Sequence, residues 1–144
     1  MIREFIYLWE RKEDWIREYI SENLDEFNRY EYQDLVAFLI ENVLNDGERK
    51  FSWDDITRID YGDYQGTLIF VFHEETYQPG TWETYYTSVE YGSCSGCDTL
   101  LGIQSYGFMS GNALEKAEIQ IKDYMKLLLD LFQGIHRFKG DEDD

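Results

Sequence analysis

Residues 55–91 read DITRIDYGDYQGTLIFVFHEETYQPGTWETYYTSVEY. Three runs within it, DITRIDY, GTLIFVFHE and ETYYTSVEY, are rich in β-branched and aromatic residues, the composition of strands. GDYQG separates the first two as a glycine-bounded turn. TYQPGTW, with the only proline of the chain, separates the second from the third. Links this short favour antiparallel pairing. A three-stranded sheet needs cover on one face to be stable, and the flanking sequence supplies it.

On the N-terminal side, Ile2, Phe5, Ile6 and Trp9, then Trp15, Ile16, Tyr19, Ile20 and Leu24, recur at helical spacing. The charged run ERKED (10–14) between them either continues that helix or breaks it. A further helix over about 30–45 buries Leu35, Phe38, Leu39, Val43 and Leu44, and Asn45, Asp46 and Gly47 stop it. After the strands, CDTLLGIQ (97–104) reads as a short helix and SYGFMSG (105–111) as a loop. Asn112, with Glu115 three residues on, has the spacing of a capping box. The helix it opens, about 113–132, carries Leu114, Ala117, Ile121, Met125, Leu128 and Phe132 on one stripe, and Gly134 marks its end. The order predicts an α+β fold: a three-stranded antiparallel meander packed with N-terminal helices and a long C-terminal helix. The 144 residues fit one domain. We expect it to span 1–138, with KGDEDD (139–144) as an acidic disordered tail.

The chain has 30 acidic and 13 basic residues, a net charge of −17. That argues against direct binding of nucleic acid or an anionic membrane, and favours a basic protein partner or simple solubility. No stretch approaches the length of an apolar membrane span, and MIREFIYLWERKEDW lacks the apolar core of a signal peptide. The expectation is a cytoplasmic protein with reduced cysteines. From Ile59 to Glu115 there is no Lys or Arg, while eight acids and seven of the twelve tyrosines fall there. Charges rarely bury unpaired, so this window predicts a single-sign surface. The candidate partner-binding residues are Asp60, Asp63, Tyr64, Glu74, Glu75, Glu83 and Glu90, with tyrosine supplying anchoring area beside the acids.

IDYGDYQG (59–66) and VEYGSCSG (89–96) share apolar-acid-Tyr-Gly-x-x-x-Gly. A meander puts both Tyr-Gly turns at one end of the sheet, with His73 and Pro79-Gly80 at the other. The second turn carries the only two cysteines, Cys94 and Cys97. They supply two of the four ligands of a zinc site, and Asp60, Asp63, Glu90 and Asp98 lie nearer to them than His73. As a redox pair they precede a helix start, but the strand before them reads as antiparallel and no base adjoins them. Gly92-Ser93-Cys94-Ser95-Gly96 matches a nucleophile elbow, which also needs a histidine base and a larger parallel sheet. The fourth reading is a structural turn. In it Gly62, Gly66, Gly92 and Gly96 shape the backbone, and Ser95 or Asp98 caps the short helix. No catalytic residue is assigned on these patterns, and no cofactor beyond the zinc alternative.

YGSCSGCD (91–98) after a Tyr-rich strand, with DYGDYQG (60–66) before it, resembles small proteins encoded largely by bacteriophages and prophages. The resemblance covers the central β region, about 56–103. It implies a viral origin and action inside a bacterial cell, and it carries no assigned catalytic residue. Combined with the charge, it suggests a binding protein that inhibits or sequesters a basic, nucleic-acid-binding host protein. A CRISPR effector or a restriction enzyme are examples, with spaced carboxylates imitating backbone phosphates. The alternatives are a thiol or metal site at the sheet end and a non-catalytic phage accessory or structural protein.

Overall fold

A computed structural model describes residues 2–63, 65–94 and 96–138, with the backbone alone for Ile2. Tyr64, Ser95 and the tail 139–144 therefore lie outside the described residues. Among the described residues there are five α-helices and four strands, in the order α1 (Ile2–Glu22), α2 (Leu24–Phe27), α3 (Tyr32–Asn42), β1 (Thr57–Gly62), β2 (Gly66–His73), β3 (Thr84–Tyr91), α4 (Thr99–Tyr106), α5 (Ala113–Gln133) and β4 (His136–Arg137). The fold is α+β. The sheet is antiparallel throughout, in the order β1-β2-β3-β4.

One sequence expectation needs correction here, and one open alternative is decided. The sheet has four strands rather than three, because the chain leaving α5 lays His136 and Arg137 against Tyr86 and Tyr85. The ERKED run does not break α1: Glu, Arg and Lys are good helix formers, and the run continues the helix through its middle.

The register sorts the side chains. Leu68, Phe70 and Phe72 of β2, with Tyr85 and Thr87 of β3, point to the helices and are buried. The helical layer closes over them through aromatic contacts. Phe5 stacks on Phe132 at 5.0 Å between ring centroids, joining the start of α1 to the end of α5. Phe27 meets Tyr19, Tyr30, Phe38 and Tyr124 at 4.8–6.2 Å. Each such pair adds about 0.5–1.5 kcal/mol beyond area burial. Not every expected core position is inside. Leu114 is exposed because the first turn of α5 projects past the bundle, and Ile6 and Trp15 sit at the rim of α1.

The backbone turning from α2 into α3 is fastened by side chains from the other helices. The Gln104 Nε2 donates to the carbonyls of Phe27 (3.1 Å) and Tyr30 (2.8 Å). The Tyr124 hydroxyl lies 3.0 Å from the Phe27 carbonyl and 2.7 Å from Asn28 Oδ1, two acceptors that share its one proton. Gln120 Nε2 donates to the Ile103 carbonyl and to Asn28 Oδ1. Burial raises the pKa of the Tyr124 phenol, so its hydroxyl keeps the proton it donates.

Asp98 fastens the sheet to the helices. It is only 6% exposed and accepts three hydrogen bonds. Tyr32 of α3 donates to Oδ1 (2.8 Å), Gly92 at the exit of β3 donates its N–H to Oδ2 (3.0 Å), and Leu101 of α4 donates its N–H to Oδ1 (3.1 Å). The last bond is the N-cap of α4. The Tyr32 hydroxyl also accepts the Leu100 N–H at 3.0 Å. Burial, opposed by that N–H and aided by Asp98, holds the Tyr32 phenol in its protonated form. Replacing Asp98 by alanine strands the Gly92 N–H and uncaps α4. Urea unfolding of Asp98→Ala should show a loss of about 2–4 kcal/mol, the sum of a lost cap and an unsatisfied buried donor; a loss under about 1 kcal/mol contradicts this role.

Candidate functional site

The sheet has one face on the helices. On the other face the pairing places Ile59 beside Ile69, and Val71 beside Tyr86. All four are half-buried. Tyr61 (66% exposed) extends this face along β1. Phe138 (57% exposed) sets its ring edge-on to Tyr86 at 6.4 Å, and His136 lies 5.8 Å from the same ring. An antiparallel strand with one wet face normally alternates apolar and polar residues. LIFVF (68–72) in β2 is apolar on both faces. That absence of alternation was a readable signal for this surface, although the base-free acidic window drew the sequence reading toward carboxylates instead.

The predicted acids do not form one cluster. They divide between the two ends of the sheet, and the seven steps of β2 from Gly66 to His73 span roughly 23 Å. At the Tyr-Gly end stand Asp60, Asp63 and Glu90; Tyr64 lies outside the described residues. Gly62 and Gly66 face each other here, and a Cβ on Gly66 would fall 2.8 Å from the Gly62 Cα. Asp63 is exposed on the turn and Glu90 points out beside Thr67. Asp60 instead shares the helix-facing side of β1. It accepts the Tyr91 hydroxyl at 2.5 Å and pairs with Arg58 at 3.5 Å. The bond to Asp60 raises the pKa of the Tyr91 phenol.

At the other end stand Glu74, Glu75 and Glu83. The Glu74 N–H donates to the Glu83 carbonyl, and the Glu75 N–H to that of Lys50. Tyr85 donates its hydroxyl to Glu74 Oε2 (3.2 Å) and accepts from Arg49 Nη1 (2.8 Å) and from Arg137 Nε and Nη2 (3.4 Å each). The Arg137 guanidinium also lies 5.9 Å from the ring of Trp82, itself 53% exposed. The window is therefore free of bases in sequence but not in space. Arg58 pairs with Asp60, and Arg49 and Arg137 gather around the Tyr85 hydroxyl, which donates to Glu74. Asp60, Asp63, Glu75 and Glu90 are exposed, Asp60 in its pair with Arg58, and Glu74 and Glu83 are half-buried.

His73 closes this end of the open face. Its Nδ1 lies 2.9 Å from the Glu74 carbonyl and its Nε2 3.0 Å from Asp55 Oδ2. Both partners are acceptors, so the arrangement is satisfied only when both nitrogens carry hydrogen. The Asp55 carboxylate, then the Glu74 carbonyl, raises the His73 pKa.

The cysteine turn lies at the opposite end. Cys94 and Cys97 are free and exposed. The Cys97 N–H bonds to the Cys94 carbonyl at 3.1 Å, closing a β-turn. A Cβ on Gly92 would fall 2.4 Å from the Cys97 carbonyl oxygen, so the chain passes there only as glycine. Gly96 has open space around it, and Ser95 lies outside the described residues. The histidines stand at the far end of the sheet, His73 opposite Thr84 and His136 opposite Tyr86. Asp98 is committed to its three donors. Among the described residues no group of three or more His, Cys, Asp or Glu side chains is placed to hold a metal. Beneath this end a hollow of about 270 Å³ opens between β1, β2, α3 and α4. Its Arg58, Tyr91, Asp98 and Gln104 are each engaged by protein groups.

The contacts of His73 set a pH dependence. A folded pKa above the unfolded value of about 6.5 contributes stability that is complete below that value and is lost as pH rises through the folded pKa. NMR titration of the His73 ring should give a midpoint above about 6.5, and Asp55→Asn should lower it. A midpoint at or below the unperturbed value contradicts the geometry. No helix among the described residues is long and apolar enough to cross a membrane. No protein-family model, no curated protein and no solved structure matches the chain.

Proposed function

We propose that the protein is a non-catalytic binding protein that docks a basic partner on its open sheet face. The observation that carries this reading is the apolar centre made by Ile59, Ile69, Val71 and Tyr86, half-buried on the face turned away from the helices. Beside it stand exposed aromatics, Tyr61 and Phe138, of the kinds that anchor interfaces. Solvent-facing acids mark both ends, Asp63 and Glu90 at one and Glu75 at the other. A net charge of −17 adds long-range attraction to a positively charged surface and repels nucleic acid.

The partner class that fits is a basic, nucleic-acid-binding protein of a bacterial host. Two carboxylate clusters roughly 23 Å apart would engage separate basic patches, while the apolar centre supplies the desolvated contact. The phage-like YGSCSGCD motif favours an anti-defence role, by blocking or sequestering a CRISPR- or restriction-type protein. The acids are graded within this reading. Asp63, Glu75 and Glu90 serve the partner, with Glu83 beside them. Asp60 and Glu74 chiefly satisfy Arg58 and the Tyr85–arginine cluster.

The test begins with capture of partners from host extract and continues on the purified partner. Affinity should weaken as salt rises from roughly 50 to 500 mM, and double-stranded DNA should compete. Ile69→Asp should weaken binding by roughly tenfold or more, as loss of a central contact does. Reversing Asp63, Glu75 and Glu90 together should abolish most of the salt dependence. Binding that ignores salt, or that survives Ile69→Asp in a folded protein, contradicts the reading.

A further inference from the structure

The open face makes no use of the two cysteines. We propose that Cys94 and Cys97 form a thiol–disulfide exchange site that reacts with low-molecular-weight disulfides, with Cys97 as the attacking and Cys94 as the resolving thiol. This site is separate from the binding surface and does not rest on it.

The turn is built to bring the two sulfurs together. Its i→i+3 hydrogen bond, Cys97 N–H to Cys94 carbonyl, keeps the two Cα atoms within about 7 Å, a span a disulfide can bridge. The Cys94 N–H donates to Cys97 Sγ at 3.1 Å, and the Cys97 thiol can donate to the Cys94 carbonyl at 3.3 Å. A donor aimed at sulfur favours the thiolate of Cys97 over that of Cys94. Gly92 leaves room for that sulfur, since a Cβ there would sit 2.8 Å from Sγ. The base of the loop is fixed by the Gly92 N–H bond to Asp98 Oδ2, and Asp98 itself is held by Tyr32 and Leu101. The dithiol thus stands exposed on a loop tied at both ends to the buried network. The Cys94 thiol first, then the N–H groups of Cys94 and Ser93, lowers the Cys97 pKa.

The exchange balances in two steps. The Cys97 thiolate attacks one sulfur of a disulfide RSSR, forming Cys97–S–S–R and releasing RS⁻. The Cys94 thiolate then attacks Cys97 Sγ, forming the Cys94–Cys97 bond and releasing the second RS⁻. The two thiol protons end on the two departing thiolates. Two electrons pass from the cysteine pair to the disulfide.

Glutathione disulfide is the probe. Trypsin releases both cysteines in one peptide, 59–116, because no Lys or Arg lies between Arg58 and Lys116. In the native protein this peptide should lose two hydrogen atoms and carry no glutathione. Cys94→Ser should accumulate a glutathione adduct on Cys97, and Cys97→Ser should react roughly three- to tenfold more slowly. Limited iodoacetamide labelling of the unaltered protein should mark Cys97 ahead of Cys94, with that preference lost in urea. Three results overturn the proposal: adducts without an internal bond, equal rates in the two variants, or a preference that persists in the unfolded chain.

Discussion

The carboxylate of Asp98 is the point at which the sheet and the helices become one structure. Three elements end on its two oxygens: α3, 66 residues away, through Tyr32, the exit of β3 through Gly92, and α4 through Leu101. A buried carboxylate is costly unless its oxygens are satisfied, and here the satisfying groups also fix the geometry. With β3 held at that end and Thr87 donating to the Leu131 carbonyl of α5, the helical layer is committed to one face of the sheet. The opposite face is left with its apolar residues half-exposed. The open surface is thus a consequence of how the core closes.

Electrostatics divides that surface into unequal parts. Chain segments from outside the base-free window fold back and place arginines on one of its tyrosines. Arg49 arrives from the loop after α3, and Arg137 from the strand after α5, to meet the Tyr85 hydroxyl beside Glu74. Carboxylates engaged in this way shape the sheet end and contribute less to long-range attraction. The free carboxylates stand apart at the two sheet ends with aromatic and aliphatic surface between them. Such an arrangement suits an extended basic partner better than a point-like cation.

Much of this was legible in the chain. Period and composition marked the long helices and the three main strands. Short glycine-bounded links set the antiparallel order and placed both Tyr-Gly turns together. The capping position of Asn112 was readable because its bonds, to the Leu114 and Glu115 N–H groups, are local. What escaped the sequence is long-range. Tyr32 lies 66 residues from Asp98 in the chain, so an S-x-x-D pattern could suggest the cap of α4 but not the partner that makes Asp98 central. β4 is two residues long and exists only because α5 delivers it to the edge of β3. For the same reason the window alone did not show that Arg49 and Arg137 reach the Tyr85 hydroxyl from elsewhere in the chain. The open face was visible in LIFVF, an antiparallel strand apolar on both sides, once strand and layer were both known.

The central claim is that the open sheet face is where a basic protein binds. Methyl-labelled NMR measures this directly, with Ile59, Ile69 and Val71 reporting the open face and Ile16, Leu35 and Leu128 the helical core. On titration with the captured partner, the shifts should concentrate on Ile59, Ile69 and Val71 and fade as salt is raised. Shifts on the outer surfaces of α1 and α5, with the three sheet methyls unmoved, would contradict the account.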